Sequence, residues 1–207
     1  MVKTWRRTVL LLFIAAILTA PAYLRAYVLT GVSDAPTLLL GDKALVNKAA
    51  YSVNLPYSNI KIAQAGQPKR GDMVQIKWPE HPVLLFKRVI GLPGETIELR
   101  DHRVLIDGTR LPLNPISSDV SWVPPAHHLG STIFDEDGHR IAFTPGAGEN
   151  RDMRPVHLAG DQYFLMGDNR DVSLDCRVWG PLKKEAILGK VILTMATGPR
   201  LRPGRLP

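Results

Sequence analysis

Lys87 is the side chain whose chemistry depends most on its surroundings. It stands in Val83-Leu84-Leu85-Phe86-Lys87-Arg88-Val89-Ile90, where six of eight residues are apolar. In an alternating strand Leu85, Lys87 and Val89 share one face, and Phe86, Arg88 and Ile90 the other. One of the two cations then faces apolar neighbours unless the strand lies at an edge, where a lysine snorkels to water. The enclosed case is the chemical one. A free lysine, with a pKa of about 10.4, is almost wholly protonated at neutral pH. Desolvation lowers that value by several units, and a neutral amine can then take the proton of a serine hydroxyl. Ser33, in Gly31-Val32-Ser33-Asp34-Ala35-Pro36-Thr37-Leu38, follows five residues after Val28, close behind the apolar N-terminal segment. A serine before a turn is otherwise a turn residue or a helix cap.

A second chemical stretch runs from Met166 to Gly180 and holds three aspartates, two arginines and Ser173. Tyr163-Phe164-Leu165-Met166 ahead of it reads as a buried strand, and Trp179 closes it. Charges enclosed between such flanks need partners. Asn169, Asp171, Ser173 and Asp175 alternate like calcium ligands, but a calcium loop needs Gly at its sixth position and Glu at its twelfth. Those positions hold Leu174 and Gly180, and starting from Asp168 puts Arg170 at a ligand position. Calcium is excluded. His127, His128 and His139 lack a second ligand pattern at metal spacing and read as surface residues.

The elements that must position these groups are mostly strands. Ala44-Leu45-Val46, the segment Arg70 to Ile76, and Ile187 to Leu193 read as strands. Thr96 to Leu99 and Arg103 to Ile106 form an antiparallel meander ahead of an Asp107-Gly108 turn. Tyr51 to Gly66 reads as a loop. Residues 114–157 carry five prolines and four of the six histidines. They read as an insertion with short strands at most, around Ser131 to Phe134 and Ile141 to Phe143. The tail after Gly198 reads as loose.

The chain of 207 residues is 45% hydrophobic and 22% charged, enough for one domain with a core. Lys3, Arg6, Arg7 and Arg25 supply +4 of the net +7 before the first acid, Asp34, which leaves +3. That excludes a basic nucleic-acid footprint. The single cysteine, Cys176, excludes an internal disulfide. Thr8 to Leu24 is free of charge and apolar, at the short end for a membrane span. Arg25 would snorkel to extend it, and Lys3, Arg6 and Arg7 would hold the N-terminus in the cytoplasm. Ala20-Pro21-Ala22 makes a cleavable secretory signal the competing reading.

The stretch from Gly167 to Gly180 resembles the last signature segment of type I signal peptidases, Gly-Asp-Asn-Arg-Asp-x-Ser-x-Asp-Ser-Arg-x-Trp-Gly. It departs only at Cys176. Ser33, Pro36, Thr37, Leu38, Gly41 and Asp42 are similar to that family's nucleophile segment, Ser-Met-x-Pro-Thr-Leu followed by Gly-Asp. The Met position holds Asp34. Lys87-Arg88-Val89-Ile90-Gly91-Leu92-Pro93-Gly94-Glu95 resembles its Lys-Arg-Val-x-Gly-x-Pro-Gly-(Asp/Glu) segment. The resemblance implies Ser33 as nucleophile and Lys87 as base. It implies Ser173 as the hydroxyl that orients the lysine, and an Asp175–Arg177 ion pair that holds the loop. The Ser33 amide would serve the oxyanion, and Asp34 becomes a substrate-groove candidate. A Ser-His-Asp triad finds no motif, since Gly-x-Ser-x-Gly is absent. Cys176 replaces a serine that is not a nucleophile in the family.

The fold class expected is mainly β: an N-terminal transmembrane helix, then an antiparallel β-sheet catalytic domain with an inserted β/loop region. The division is 1–7 cytoplasmic, 8–29 anchor, 30–113 and 158–207 catalytic, and 114–157 insertion. The activity implied is a membrane-anchored serine endopeptidase, single-pass in the cytoplasmic (inner) membrane, with its catalytic domain on the extracytoplasmic side. Its partners would be signal peptides of exported precursors and membrane lipid, with no nucleic acid, metal or cofactor. The alternative is an anchored extracytoplasmic protein that binds peptides without cutting them. Asp34 favours that alternative. The retention of Ser33, Lys87 and Ser173 opposes it.

Overall fold

The computed structural model describes residues 2–58, 60–78, 81–117, 132–143 and 152–196. Helix α1 spans Val2–Tyr23 and contains Pro21. The strands that follow are β1 (Leu24–Val28), β2 (Lys43–Asn47), β3 (Ser52–Asn54), β4 (Lys61–Gln64), β5 (Met73–Lys77) and β6 (Leu84–Gly91). The middle of the chain gives β7 (Thr96–Arg100), β8 (Arg103–Ile106), β9 (Thr109–Arg110), β10 (Leu113–Ser117), β11 (Thr132–Glu136), β12 (His139–Phe143) and β13 (Met153–His157). Then come β14 (Gln162–Met166), a single helical turn α2 (Cys176–Trp179), β15 (Leu182–Lys183) and β16 (Ile187–Met195).

Among the described residues the main sheet has seven strands in the order β1-β2-β16-β5-β6-β14-β15. Neighbouring strands run antiparallel, as in β5 with β6 (Val74 opposite Lys87) and β6 with β14 (Met166 opposite Arg88). Strand β6 is therefore interior to the sheet and is buried continuously from Phe86 to Gly91. An edge position for Lys87 is ruled out. Val74, Ile76, Val89, Ile90, Ile97, Phe164 and Leu165 form one apolar cluster. Leu29, Leu38, Val46, Met73 and Phe86 form a second. Each fully buried side chain of this size contributes about 1.5–3 kcal/mol relative to exposure.

The helix ends earlier than the expected 8–29 span. Leu24–Val28 pairs with β2, Leu24 opposite Asn47 and Val28 opposite Lys43. Arg25 therefore lies in a strand and does not extend the helix. Among the described residues no helix is long and apolar enough to cross a membrane. Tyr51 to Gly66 differs too. Its centre is a two-stranded ribbon, β3 with β4, and β4 is exposed along its length, so no apolar pattern announced it. Within 114–157 the described residues form the sheet β10-β11-β12, while β13 leaves the region to pair with β7. His127, His128 and the tail after Gly198 lie outside the described residues.

Candidate active site

Three segments meet at the site. The first is the turn after β1. Asp34 O accepts from Leu38 N at 2.8 Å, which closes the turn, and Asp42 Oδ2 accepts from Leu39 N at 2.8 Å. The second is β6. The third is the loop from Gly167 to Asp175, which feeds α2.

Ser33 is half-buried on the turn, while Lys87 and Asp34 are 1% and 7% exposed. Lys87 Nζ donates to Ser33 Oγ at 2.6 Å and to Phe86 O at 2.8 Å. It lies 3.5 Å from Asp34 Oδ2. Ser33 Oγ in turn donates to Asp34 Oδ2 at 2.7 Å. The chain of donors thus runs from Lys87 through Ser33 to Asp34. Asp34, the substrate-groove candidate, has its carboxylate turned onto the serine and lysine. Burial pushes its carboxyl up to about 6, against the attraction of Lys87 and the Ser33 hydrogen bond.

Ser173 Oγ is buried beside Gly167 and makes no hydrogen bond of good geometry among the described residues. The Ser173-to-Lys87 bond that the resemblance implied is not formed; Lys87 Nζ donates to Ser33 Oγ and Phe86 O instead.

Asp175 and Arg177 are joined by two bonds of 2.8 Å. Asp175 also accepts from Gly167 N at 2.9 Å and caps α2 at Arg177 N, 3.2 Å. Burial opposes its ionisation, but the Arg177 bonds and charge override that and hold the carboxyl below its ordinary value. Gly167 has to be glycine for a reason of space. A Cβ there would strike Ser173 Oγ and the Ser33 carbonyl oxygen. The loop thus lies directly against the backbone of the candidate nucleophile. Asn169 continues the contact, with its N–H on Ser33 O at 3.0 Å and its Nδ2 on Val32 O at 3.2 Å.

Sequence reasoning left Arg88, Asp168, Thr37, Arg170 and Glu136 without roles. Arg88 is 2% exposed and meets Asp168 through Nε at 2.7 Å and Nη2 at 2.6 Å. Thr37 Oγ1 donates to the same carboxylate. Burial works against the charge on Asp168, yet Arg88 holds its pKa down. Arg170 binds Glu136 of β11, with Nη1 to Oε1 at 2.9 Å. Burial likewise opposes ionisation of Glu136, and Arg170 nevertheless holds it at about 2. The available signal was Arg88 next to Lys87 in one apolar run. In a strand enclosed on both faces both cations are buried, and each demands a partner.

The comparisons agree with the motifs. The family model described as "Signal peptidase, peptidase S26" matches residues 2–196. A protein of Pseudomonas aeruginosa named "Signal peptidase I" is 31% identical over 189 residues, covering 83% of this chain and 64% of that protein. The chain thus spans under two thirds of that relative's length. One of Aquifex aeolicus with the same name is 30% identical over 231 residues, covering 94% of this chain and 85% of that protein. A solved signal peptidase I from Enterococcus faecalis aligns at 28% identity with a TM-score of 0.39, over 61% of this chain and 98% of that one. With a family match over nearly its whole length, the chain belongs to the signal peptidase, peptidase S26, family.

Proposed function

We propose that this protein is a membrane-anchored serine endopeptidase that removes signal peptides from exported precursors, with Ser33 as nucleophile and Lys87 as general base. The observation that carries the proposal is the 2.6 Å contact between a buried Lys87 Nζ and the Ser33 Oγ. That separation lies within the range for direct proton transfer. Ser33 attacks the scissile carbonyl, its proton passes to the neutral Lys87 amine, and the ammonium so formed protonates the departing amine. The Asp175–Arg177 pair and Asn169 hold the loop against the Ser33 backbone. Ser33 is partly exposed while its partners are enclosed, so a peptide reaches the hydroxyl and water is kept from the base.

The anchor belongs to the same proposal. Trp5, Val9, Leu10, Leu11 and Ile14 of α1 are exposed apolar side chains, a surface that lipid would cover. Lys3, Arg6 and Arg7 keep the N-terminus in the cytoplasm, and the catalytic residues then lie outside it.

The test is cleavage of a signal-peptide-bearing precursor by the purified full chain in detergent micelles. Wild type cuts at the small-x-small site, and Ser33→Ala does not. Lys87→Arg is nearly dead, since a guanidinium does not yield its proton in this range. Retained cleavage in Lys87→Arg would remove Lys87 as the base.

A further inference from the structure

Lys87 has to shed a proton before it can act, and its surroundings contain a group placed to receive it. We propose that Asp34 is a third catalytic residue, which accepts through the Ser33 hydroxyl the proton that Lys87 must release. This rests on the reading of Ser33 and Lys87 given above. Three observations support it.

The donor chain already points the right way, from Lys87 Nζ to Ser33 Oγ at 2.6 Å and from Ser33 Oγ to Asp34 Oδ2 at 2.7 Å. Asp34 Oδ1 is buried with no hydrogen-bond partner among the described residues, so the carboxylate form is under-solvated. Burial also raises the Asp34 carboxyl to about 6, which makes it a better proton acceptor than an ordinary aspartate. The charged groups facing Asp34 are Lys87 and Arg88 from β6 and Asp168 from the loop after β14. Arg88 is itself paired with Asp168, which leaves Lys87 as the cation in reach.

The step balances without an outside reagent. The resting site holds an ammonium, a hydroxyl and a carboxylate. One Nζ–H proton moves to Ser33 Oγ while the Oγ–H proton moves to Asp34 Oδ2. Lys87 is then a neutral amine, Ser33 is again a hydroxyl, and Asp34 is a carboxylic acid. No net charge appears, and a buried ion pair has become two neutral groups, a change that desolvation favours. On attack the Ser33 Oγ–carbon bond forms, the carbonyl π pair moves to its oxygen, and the hydroxyl proton passes to Lys87 Nζ. As the C–N bond breaks, that proton leaves with the amine.

The experiment is kcat/KM against pH for the full chain in micelles. Its probe is a synthetic peptide with an apolar run and an Ala-x-Ala site. Wild type rises through the titration of Asp34, near 6, and then holds a plateau above about pH 7. Asp34→Asn keeps the shape of the side chain but cannot take the proton. Its rate at pH 7 falls at least tenfold, and it climbs about tenfold per pH unit toward alkaline pH as solvent takes over the acceptor role. Asp34→Glu keeps the plateau at reduced height. The opposite result overturns the proposal. If Asp34 only stabilised the ammonium, Asp34→Asn would be faster than wild type at pH 7, its rising limb moved to lower pH. An Asp34→Asn protein with unchanged melting that stays inactive at alkaline pH overturns it too, as does an Asp34→Glu protein that climbs like Asn. Failure of the underlying reading looks different: Ser33→Ala or Lys87→Ala would still cleave the peptide.

Discussion

Asp168→Asn isolates a single buried charge. Both Asp168 oxygens bind Arg88, one of them also takes the Thr37 hydroxyl, and the two side chains are 0% and 2% exposed. The substitution keeps volume and removes the charge, so Arg88 is left enclosed without its hydrogen-bonded anionic partner. Breaking a buried pair in this way costs about 3–5 kcal/mol. For a chain of this size each kcal/mol shifts Tm by about 2–4 °C, so a fall of roughly 10 °C is expected. The exposed Glu98–Arg100 pair, where Arg100 is 57% exposed, supplies the contrast. Glu98→Gln should cost no more than about 1 kcal/mol. The sign with pH is fixed by the lowered pKa of Asp168. Its contribution is present in full above the ordinary carboxylate value of about 4 and is lost as pH falls through the lower folded-state value. The gap between wild type and Asp168→Asn therefore narrows in acid. The double variant Arg88→Met/Asp168→Leu should be more stable than Asp168→Asn alone, because no charge is stranded. Thermal melting measures the Tm fall, and urea unfolding at pH 7 and pH 3 measures the free-energy differences. A cost below about 1 kcal/mol for Asp168→Asn, or a double variant no more stable than the single, would refute the account of this pair.

Four further outcomes are expected. Gly167→Ala forces a methyl group against Ser173 and the Ser33 carbonyl; overpacking of this kind costs about 1–3 kcal/mol, and peptide cleavage should fall with it. Cys176 is 1% exposed and burial pushes its thiol up to about 12, so a maleimide at pH 8 should label the unfolded chain and leave the native protein unmodified. Glu136 is held at about 2 in the fold and titrates at an ordinary value when unfolded. Its stabilising contribution is thus complete above about pH 4.5 and disappears toward pH 2, which Glu136→Gln tests by flattening the acid limb of the unfolding profile. A reporter fused to the C-terminus should be active only on the extracytoplasmic side, and a cytoplasmic signal would end the anchor and the protease readings together.

Local pattern and tertiary structure decided different things here. The sequence determined where β5, β6, β14 and β16 run, because apolar runs bounded by Gly, Asp and Pro leave little choice of element. Through the resemblance it carried the Asp175–Arg177 pair, which the folded loop forms where Asp175 caps α2. It carried the family through three ordered segments. The rest rests on contacts between residues far apart in the chain. Lys87 looked equally ready to snorkel or to be enclosed until β5 and β14 flanked β6. Arg88 found its partner 80 residues away in Asp168, and Glu136 of the inserted hairpin found Arg170 across 34. Leu24–Val28 looked like the end of an apolar span, and pairing with β2 made it a strand. The resemblance made Asp34 a substrate-groove candidate, and the fold adds that its carboxylate lies on Ser33 and beside Lys87. Ser173 was matched to the lysine by its place in a motif, whereas in the fold Lys87 donates to Ser33 and a main-chain carbonyl. A side chain's direction at a buried site depends on which polar groups remain to be satisfied once the strands have paired, and no local spacing carries that information.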